Sequence, residues 1–562
     1  MNSSAPSVSM GSFRLQYAAT PRLCRKFGPV RRNAAHQPFS QATFQLASRA
    51  KPDAITMTRK LLPLLLFLIL ALQGCVSPRP SHPADILITN AVLISPEREK
   101  PLQGAWLAIN GDRIVAVGDG APPAGASEII DAQGKYLIPG LIDSHVHLYH
   151  ATGLKRRYTD DFDRLYAAYM AQQPRSFLYY GFTSIIELNS DEEANARFLS
   201  SPQRPRLFHC GQGVILSDGF MAMELGATSV GEAYPGYLID TYRDAPAPPG
   251  ADPAAHTPEA AVRHIKDSGG RCVKAYYEEA LWWPGDEPPA FSLPTPEIMR
   301  DLVGEAHHQD MPVILHATTP AGHEFALATG VDILAHGMWE WPGQAFDAPE
   351  PQETYADIAS RIAASETWLQ PTFASIRNTA SLFNEAVLAD PRWVNAVPSS
   401  YMDYLKGDAQ KQRDMFLAVF EHKLRENGET APVPALQRAF NLRYQRLIGK
   451  MAENGANLTF GTDTAVGAFG WASPPGLAGL WEIGIWDAAG IDPETIFKAL
   501  TINNASAFGL SDDLGTLEAA KLADLLLLRE NPLEDVSAYD TIELVITGGS
   551  VIDRQSLSAA QN

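Results

Sequence analysis

The sequence predicts an α/β protein in which a (β/α)8 TIM barrel lies beside a composite β-sandwich domain formed by the N- and C-terminal segments. The middle of the chain, about 139–509, alternates short apolar strands with helical stretches, an order that is typical of a parallel α/β fold. Eight such units in about 370 residues match a barrel with insertions. Strand-rich segments flank this region, and hydrophobic residues make up 45% of the chain, which is enough for a large core.

Each predicted barrel strand is a short apolar run. The eight candidates are Leu141–His147, Thr183–Leu188, Arg206–Gly211, Arg271–Tyr276, Pro312–His316, Asp332–His336, Trp368–Thr372 and Asn457–Asp463. An insertion of polar, helical character, about 374–450, follows the seventh candidate strand. We therefore expect this insertion on the side of the barrel that carries the active-site loops.

The two flanking segments have the character of β structure. Residues 84–138 contain runs of alternating apolar and polar residues, and the Asn110-Gly111 step between two of these runs is typical of a β-hairpin. Residues 510–556 contain further apolar runs of strand length. Because neither segment is large enough for a good core alone, we expect both to form one composite domain.

Charge is unevenly distributed along the 562 residues. The net charge is −19, but residues 1–75 hold ten basic side chains and one acidic side chain, which leaves 35 basic against 63 acidic side chains in the remainder. A body that acidic repels phosphate backbones, so nucleic acid is not an expected partner. We expect a small-molecule substrate as the partner. A homo-oligomer is compatible with this composition and charge.

The first 75 residues predict an export signal rather than part of the fold. Arg59 and Lys60 precede the apolar run Leu61–Leu72, and Gly74 precedes Cys75, which is the anatomy of a secretory signal. The end of this segment resembles the lipobox of bacterial lipoproteins, so Cys75 would be lipidated as the first mature residue. We therefore expect the protein in the cell envelope, attached to the outer membrane by its lipid anchor alone and facing the periplasm.

The N-terminal segments have alternatives. Residues 57–75 would form the signal peptide and 76–83 a proline-containing tether, whereas an uncleaved anchor or plain secretion is the other reading. No apolar run reaches the roughly 18 residues of a membrane-spanning helix. Residues 1–56 are rich in Arg and Ser, and we interpret them as a non-globular segment upstream of a true start at Met57, with a transit peptide as the alternative.

Histidine and aspartate residues stand at the ends of several predicted strands. His145 and His147 end the first strand two residues apart, and their side chains share one face because strand side chains alternate. His316, His336 and Asp463 end three further strands. Because the carboxyl ends of barrel strands meet at one mouth, we expect these five side chains to converge. Imidazole and carboxylate ligands suit zinc and related divalent ions.

This pattern resembles the amidohydrolase superfamily over roughly 84–555, most nearly its branch of imidazolonepropionase-like enzymes and metal-dependent prolidases. Besides the five side chains, the matching stretches are Pro139-Gly140-Leu141-Ile142-Asp143, Gly461-Thr462-Asp463, Lys521-Leu522-Ala523-Asp524 and Gly548-Gly549. The resemblance implies a barrel beside a β-sandwich and hydrolysis of amide C–N bonds by metal-activated water. It also implies two divalent zinc ions, one held by His145, His147 and Asp463 and one by His316 and His336.

The number of metal ions depends on Lys274. In binuclear relatives a lysine on the fourth strand takes up CO2 and bridges both metals as a carbamate, so the resemblance implies a carbamylated Lys274. Its position between Val273 and Ala275 on an apolar strand favours an inward side chain, and burial would lower its pKa enough to supply a neutral amine. A lysine at the surface or rim is the alternative.

The resemblance also makes Asp463 the general base or proton shuttle. Tyr276 shares strand parity with Lys274 and is the best-placed candidate to stabilise an oxyanion. Trp339 is a candidate wall of the substrate pocket. Two further candidates for contact with substrate at the mouth, for which simple packing is the alternative, are Tyr277 and His209.

Other positions leave questions open. Cys210 and Cys272 lie on adjacent predicted strands, and we expect a buried free pair because parallel barrel strands rarely offer the geometry of a disulfide. Glu187 stands near the end of the second strand, where many relatives have Asp, and its role is open. The stretch Leu216–Phe220 departs from the prolidase branch, so the exact substrate is open as well.

Three functions are compatible with the pattern. Cleavage of amide bonds in dipeptides, N-acyl amino acids or cyclic amides is favoured. The first alternative is a zinc-dependent deaminase of a nucleobase-like or other amino-heterocycle. Such relatives carry Glu shortly after the fifth-strand His, whereas the first Glu after His316 is Glu324, which counts against deamination. The second alternative is a non-enzymatic binding lipoprotein, against which the complete ligand set counts.

Overall fold

A computed structural model describes residues 84–225, 230–243, 247–279, 292–376, 385–426, 428–465 and 472–561. The predicted upstream segment 1–56, the signal peptide 57–75 with its lipidation site Cys75, and the tether 76–83 lie outside the described residues. None of the helices within the described ranges is both long enough and apolar enough to cross a lipid bilayer.

Fifteen strands and a larger set of helices make up the described chain. In chain order the strands are β1 Ala84–Leu93, β2 Leu102–Asn110, β3 Arg113–Gly118, β4 Ala126–Asp131, β5 Tyr136–Pro139, β6 Leu141–Val146, β7 Phe182–Glu187, β8 Arg206–His209, β9 Val273–Tyr276, β10 Val313–His316, β11 Ile333–Ala335, β12 Trp368–Gln370, β13 Leu525–Leu528, β14 Ile542–Thr547 and β15 Ser550–Asp553. The α-helices are Phe162–Tyr179, Glu192–Leu199, Phe220–Leu225, Val230–Ala233, Pro258–Asp267, Pro296–His307, Pro320–Thr329, Glu353–Ala363, Trp393–Ala396, Ser399–Lys406, Gln410–Glu426, Val433–Glu453, Leu477–Ala488, Pro493–Lys498 and Asn504–Ala507. Shorter helical pieces are Arg156–Tyr158, Pro253–Ala255, Glu385–Ala389, Ala499–Asn503, Val536–Thr541, Arg554–Leu557 and Ala559–Gln561.

The barrel is a ring of parallel strands. Strands β6, β7 and β8 pair in one sheet and β9 to β12 in another. Between β8 and β9, Arg271 N donates to His209 O at 2.8 Å and Val214 N donates to Lys274 O at 2.7 Å. These bonds join the two sheets, and together with the terminal β domain they confirm the predicted fold class.

The eighth predicted strand, Asn457–Asp463, is not a regular strand, although it closes the ring. Leu458 forms a parallel bridge with Leu369 of β12, and Thr464 forms one with Val146 of β6. On the β6 side, Asp463 N donates to His145 O at 2.8 Å. The chain takes a left-handed backbone conformation at Asp463, with φ of +57°, which departs from strand geometry next to β6.

The barrel strands are apolar because helices cover their outer face and their inner face is filled by side chains of the strands themselves. All six residues of β7 are buried, as expected for a parallel strand that is enclosed on both faces. Three covering helices begin with a Thr-Pro step, at Thr257, Thr295 and Thr319, and each Thr side chain accepts a hydrogen bond from a backbone N–H of the first turn. The threonine caps an unpaired N–H, and proline at the first helical position lacks one, so the sequence itself fixes where these helices start.

The β domain combines both ends of the chain. Its strands run in the order β15-β14-β13-β5-β1-β2-β3, with β4 paired to β1. The C-terminal strand β13 pairs antiparallel with the N-terminal strand β5, from Leu525 opposite Pro139 to Leu528 opposite Tyr136. Leu93, Leu107 and Ile546 are buried in one apolar cluster of this domain. Neither segment contains this core alone, as the sequence predicts.

The helical insertion after β12 packs over loops at the barrel mouth. Tyr401 Oη donates to Thr152 O at 2.6 Å, and Tyr404 Oη donates to Gly153 O at 2.9 Å. Tyr444 Oη donates to Pro371 O at 2.6 Å. Three tyrosines of the insertion therefore fix loops that follow β6 and β12, two strands that carry site residues.

A disulfide bond joins Cys210 to Cys272, so the prediction of a free pair is wrong. Both cysteines lie just outside regular strands, Cys210 after β8 and Cys272 before β9. Gly211 has φ of +66°, which turns the chain, and the Cα atoms of the two cysteines stand 4.3 Å apart. The constraint of regular parallel pairing, on which the prediction rested, does not apply at these two positions.

We expect the double variant C210S/C272S to lower the free energy of unfolding by about 4 kcal/mol. The disulfide closes a chain segment of 62 residues and so restricts the unfolded state. Urea denaturation at neutral pH measures the difference. As a control, a thiol reductant should shift the wild-type chain towards the variant and leave the variant unchanged; equal stability of the two oxidised proteins would contradict the bond.

Candidate metal centre and active site

The ends of three barrel segments meet at one point. His145 Nε2 lies 3.4 Å from Asp463 Oδ1, and His147 Nε2 lies 3.1 Å from the same oxygen. One ligand atom each from His145, His336 and Asp463 lie within 4.8 Å of one another. The side chains come from β6, from the residue after β11 and from the closing segment, so barrel closure creates the cluster.

The fourth imidazole joins this cluster through His336. The ring centroids of His316 and His336 stand 4.6 Å apart, and those of His145 and His336 stand 5.3 Å apart. The rings of His145 and His147 also stand 5.3 Å apart and are nearly perpendicular. The structure therefore brings together the four histidines and the aspartate that the sequence predicts.

Each imidazole has one ring nitrogen held by an outer oxygen. The pairs are His145 Nδ1 with Gln370 Oε1 at 2.7 Å, His147 Nδ1 with Glu187 Oε1 at 3.3 Å, His316 Nε2 with Glu278 Oε2 at 2.7 Å, and His336 Nδ1 with Thr372 Oγ1 at 2.7 Å. An outer acceptor of this kind fixes both the ring orientation and the tautomer. The second nitrogen of each ring is then available as a ligand.

Glu187, whose role was open from the sequence, holds the first-strand motif in place. Besides His147 Nδ1, its carboxylate accepts hydrogen bonds from the backbone N–H groups of Leu148 and Asn189, the latter at 2.9 Å. The side chain is fully buried at the end of β7. It therefore orients an imidazole instead of facing the mouth.

Asp463 is a buried carboxylate that stays ionised. Burial opposes ionisation, but the neighbouring imidazoles of His145, His147 and His336 together hold the pKa of this carboxyl well below its usual range. Its second oxygen, Oδ2, accepts a hydrogen bond from Ser375 Oγ at 2.7 Å. An ionised carboxylate with both oxygens fixed suits a metal ligand and a proton acceptor.

Three non-glycine residues at the same place have left-handed backbone conformations. His336, Thr372 and Asp463 have φ of +77°, +50° and +57°, which is the left-handed region that favours glycine. Such conformations persist only where the surroundings hold them, and they cluster at functional sites. Here all three belong to the cluster or to its outer contacts.

Lys274 lies on β9 with its side chain inside the barrel. It is 1% exposed, and Nζ has no hydrogen-bond partner in the part of the chain that the structure describes. Burial lowers the pKa of this amine to about 7, against the opposing charge of Asp463. A buried amine without a partner beside four imidazoles and a carboxylate fits a bridging role between cations, and the donor set as a whole fits a divalent metal.

The remaining sequence candidates take different positions. The ring of Tyr276 lies 5.7 Å from that of His316, and the ring of Trp339 lies 5.0 Å from that of His336, so both border the cluster. Tyr277 follows Tyr276 and points the other way, where its ring packs at 4.7 Å against Phe325 of a covering helix. His209 is half-buried at the end of β8, and its Nδ1 accepts a hydrogen bond from Gly211 N at 3.1 Å.

Sequence reasoning missed the outer partners. They are Glu278, Gln370, Thr372 and Ser375. A signal existed for three of them: Glu278 continues the parity of Lys274 and Tyr276, and Gln370 and Thr372 alternate at the end of a buried strand. Ser375 lies in the helical turn 373–376 beyond the strand, where strand periodicity does not apply.

Comparisons with known proteins agree with this geometry. The sequence profile of the amidohydrolase family matches residues 136–552. Adenine deaminase of Clostridium botulinum (strain Loch Maree / Type A3) is 40% identical over 68 residues, which are 12% of this chain and 11% of that protein. The chain thus matches about a tenth of the length of that curated relative.

Two solved structures share the fold. A Xaa-Pro dipeptidase with bound methionine in the active site has a TM-score of 0.57 at 20% identity, covering 83% of this chain and 99% of that chain. A. niger ochratoxinase has a TM-score of 0.55 at 21% identity, covering 84% of this chain and 96% of that chain. At these identities the likeness establishes the architecture of the chain and leaves its substrate to other arguments.

We expect binding of a divalent cation to release protons near neutral pH. In the metal-free chain, burial lowers the pKa of His147, but Asp463 and Glu187 outweigh this effect and raise it to about 9. The imidazolium therefore persists below that pH, and a ligand must be neutral, so apparent affinity should rise as pH rises towards about 9.

Calorimetric titration with Zn²⁺ at pH 7, in two buffers of different protonation enthalpy, measures this release. The variant E187Q is the matched control, because it removes one of the two carboxylates that raise the pKa, and it should release fewer protons. A binding heat that does not depend on the buffer would contradict the expected coupling.

Proposed function

The chain belongs to the amidohydrolase family and is a hydrolytic enzyme, and on that premise we propose that it cleaves amide C–N bonds in small molecules with the help of divalent metal ions. The substrates proposed are dipeptides, N-acyl amino acids or cyclic amides. One observation carries the proposal: four imidazoles and the carboxylate of Asp463 converge, each imidazole with its outer nitrogen already bonded. Such an arrangement supports a hydrolytic metal centre.

The residues divide into two ligand groups. We assign His145, His147 and Asp463 to one cation and His316 and His336 to a second, with carbamylated Lys274 between them. Among the described residues, Nζ of Lys274 has no hydrogen-bond partner, which supports the second group. When bound, a divalent cation such as Zn²⁺ polarises a carbonyl and lowers the pKa of water from 15.7 to about 7.

The protein's own groups move the proton and hold the substrate. Asp463, held ionised by the imidazoles and oriented by Ser375, takes a proton from the attacking water and delivers it to the departing nitrogen. Tyr276, whose ring lies beside that of His316, is the proposed hydrogen-bond donor to the developing oxyanion. Trp339, beside His336, forms an apolar wall for the substrate.

Deamination of an amino-heterocycle is the second candidate, and the short match to adenine deaminase favours it. The site gives it less support than amide hydrolysis. The carboxylate beside His316 is that of Glu278, which is buried and holds His316 Nε2 at 2.7 Å. A carboxylate committed to the ring in this way is poorly placed to shuttle a proton to a departing ammonia.

We also propose that the enzyme works in the cell envelope, attached to the membrane through lipidated Cys75. The segment Leu72-Gln73-Gly74-Cys75 supports this location. The Cys210–Cys272 disulfide supports it as well, because disulfides persist in oxidising compartments and are rare in the cytosol.

We expect D463N to lower kcat/KM for amide substrates by about 10²–10⁴-fold, since Asp463 is the proton acceptor of the proposal. Hydrolysis is measured on libraries of dipeptides, N-acyl amino acids and cyclic amides, with the metal content determined on the same samples. The matched control is H308A, which removes a histidine whose side chain is 76% exposed and should leave the rate unchanged.

The same experiment distinguishes the alternatives. Ammonia release from nucleobases without amide hydrolysis would establish the deaminase in place of the proposal. A fully metal-loaded protein that turns over neither class of compound would identify a binding lipoprotein.

A further inference from the structure

We propose that Glu482 is a positioning residue of the metal centre, whose carboxylate anchors the turn Thr372–Ser375 and through it orients both His336 and Asp463. The inference rests on the proposed function only in requiring that the centre binds divalent metal. Glu482 lies on the helix Leu477–Ala488, outside the set of ligands and outer acceptors identified from the strand ends.

Three donors converge on the Glu482 carboxylate. Phe373 N donates to Oε1 at 2.9 Å, and Ala374 N donates to Oε2 at 2.5 Å. Trp486 Nε1, one turn further along the same helix, donates to Oε1 at 2.7 Å. Two of the three donors are thus consecutive backbone groups of one turn, and they bind separate oxygens of one carboxylate.

The two ends of that turn touch the metal centre. Thr372 Oγ1 lies 2.7 Å from His336 Nδ1, and Ser375 Oγ donates to Asp463 Oδ2 at 2.7 Å. Ser375 N donates to Thr372 O at 3.1 Å, which closes the turn. A group that fixes the two middle residues therefore fixes both hydroxyls, one on a ligand proposed for each cation.

The turn needs an external anchor. Thr372 has φ of +50°, a left-handed conformation that a β-branched residue rarely adopts unless its surroundings hold it. The N–H groups of Phe373 and Ala374 point the same way and form a small anion-binding concavity. Both oxygens of a carboxylate satisfy them, whereas an amide side chain has one oxygen and would place N–H against N–H.

Because Glu482 is fully buried, a carboxyl group without a specific role would cost stability at this position. The side chain is 0% exposed, and burial raises its pKa to about 8 against the opposing effect of the three hydrogen bonds. A fully buried carboxyl group destabilises the fold unless hydrogen bonds to its partners compensate for the lost hydration. The hydrogen bonds described for Glu482 go to the turn and to its own helix, so it acts on the ligands only through the turn.

The test compares E482Q with the wild-type chain by two measurements that do not require turnover. Zinc affinity, determined by competition with a chromophoric chelator, should fall by about 10–100-fold, as for other outer contacts of metal ligands. The visible absorption spectrum of the Co²⁺-substituted protein should change, because it reports the geometry around the cation.

The matched control is D390N. Asp390 is also a largely buried carboxylate that accepts from a tryptophan of the same helix, Trp481 Nε1 at 2.9 Å, but its other partner is Arg392 and not the turn. We expect D390N to lower the melting temperature as E482Q does while zinc affinity and the cobalt spectrum stay as in the wild type.

Wild-type affinity and spectrum in E482Q would overturn the inference and leave the proposed function intact. If E482Q does not fold, E482D keeps the carboxyl group on a shorter side chain, and an unchanged affinity and spectrum there would overturn the inference as well. In the double variant E482Q/S375A, a combined loss smaller than the product of the single losses supports the shared turn, and an exact product contradicts it. A wild-type chain that binds no divalent metal would overturn the proposed function, and this inference with it.

Discussion

The closure of the barrel by the segment 457–464 is the constraint on which the site depends. This segment brings Asp463 beside His145, although more than 300 residues separate them in sequence. Asn504 secures the junction: its Oδ1 accepts from Phe460 N and Ser144 Oγ, both at 3.0 Å, and its Nδ2 donates to Ile142 O at 2.8 Å. One buried amide thus joins the first and last segments of the ring, and the relative position of two proposed metal ligands follows from it.

Around this junction, hydrogen bonds from residues outside the cluster offset the unfavourable burial of charge. The carboxylates of Glu187 and Glu278 each hold an imidazole, and the amide of Gln370 holds a third. Such contacts decide which ring nitrogen faces the mouth before any cation arrives. Because the outer groups are themselves buried and bonded, the site is organised in advance rather than assembled on binding.

Two further features tie the mouth to the rest of the chain. The disulfide connects Cys210, just after β8, to Cys272, just before β9 and two residues before Lys274. The insertion supplies Tyr444, whose hydroxyl accepts from Gly337 N and donates to Pro371 O, next to His336 and Thr372. The disulfide and Tyr444 therefore both restrain loops that carry site residues, which limits the conformations that the mouth can adopt.

The sequence by itself determined the barrel, the composite β domain and the convergence of the histidines, because strand alternation and apolar runs are local properties. It identified β6 to β12 closely, since each has a continuous apolar pattern. The irregular eighth segment, the disulfide, the role of Glu187 and the contacts of Ser375 and Glu482 were decided by tertiary structure. These features depend on turns and on distances between residues far apart in sequence, for which no periodicity exists, so only the folded chain fixes them.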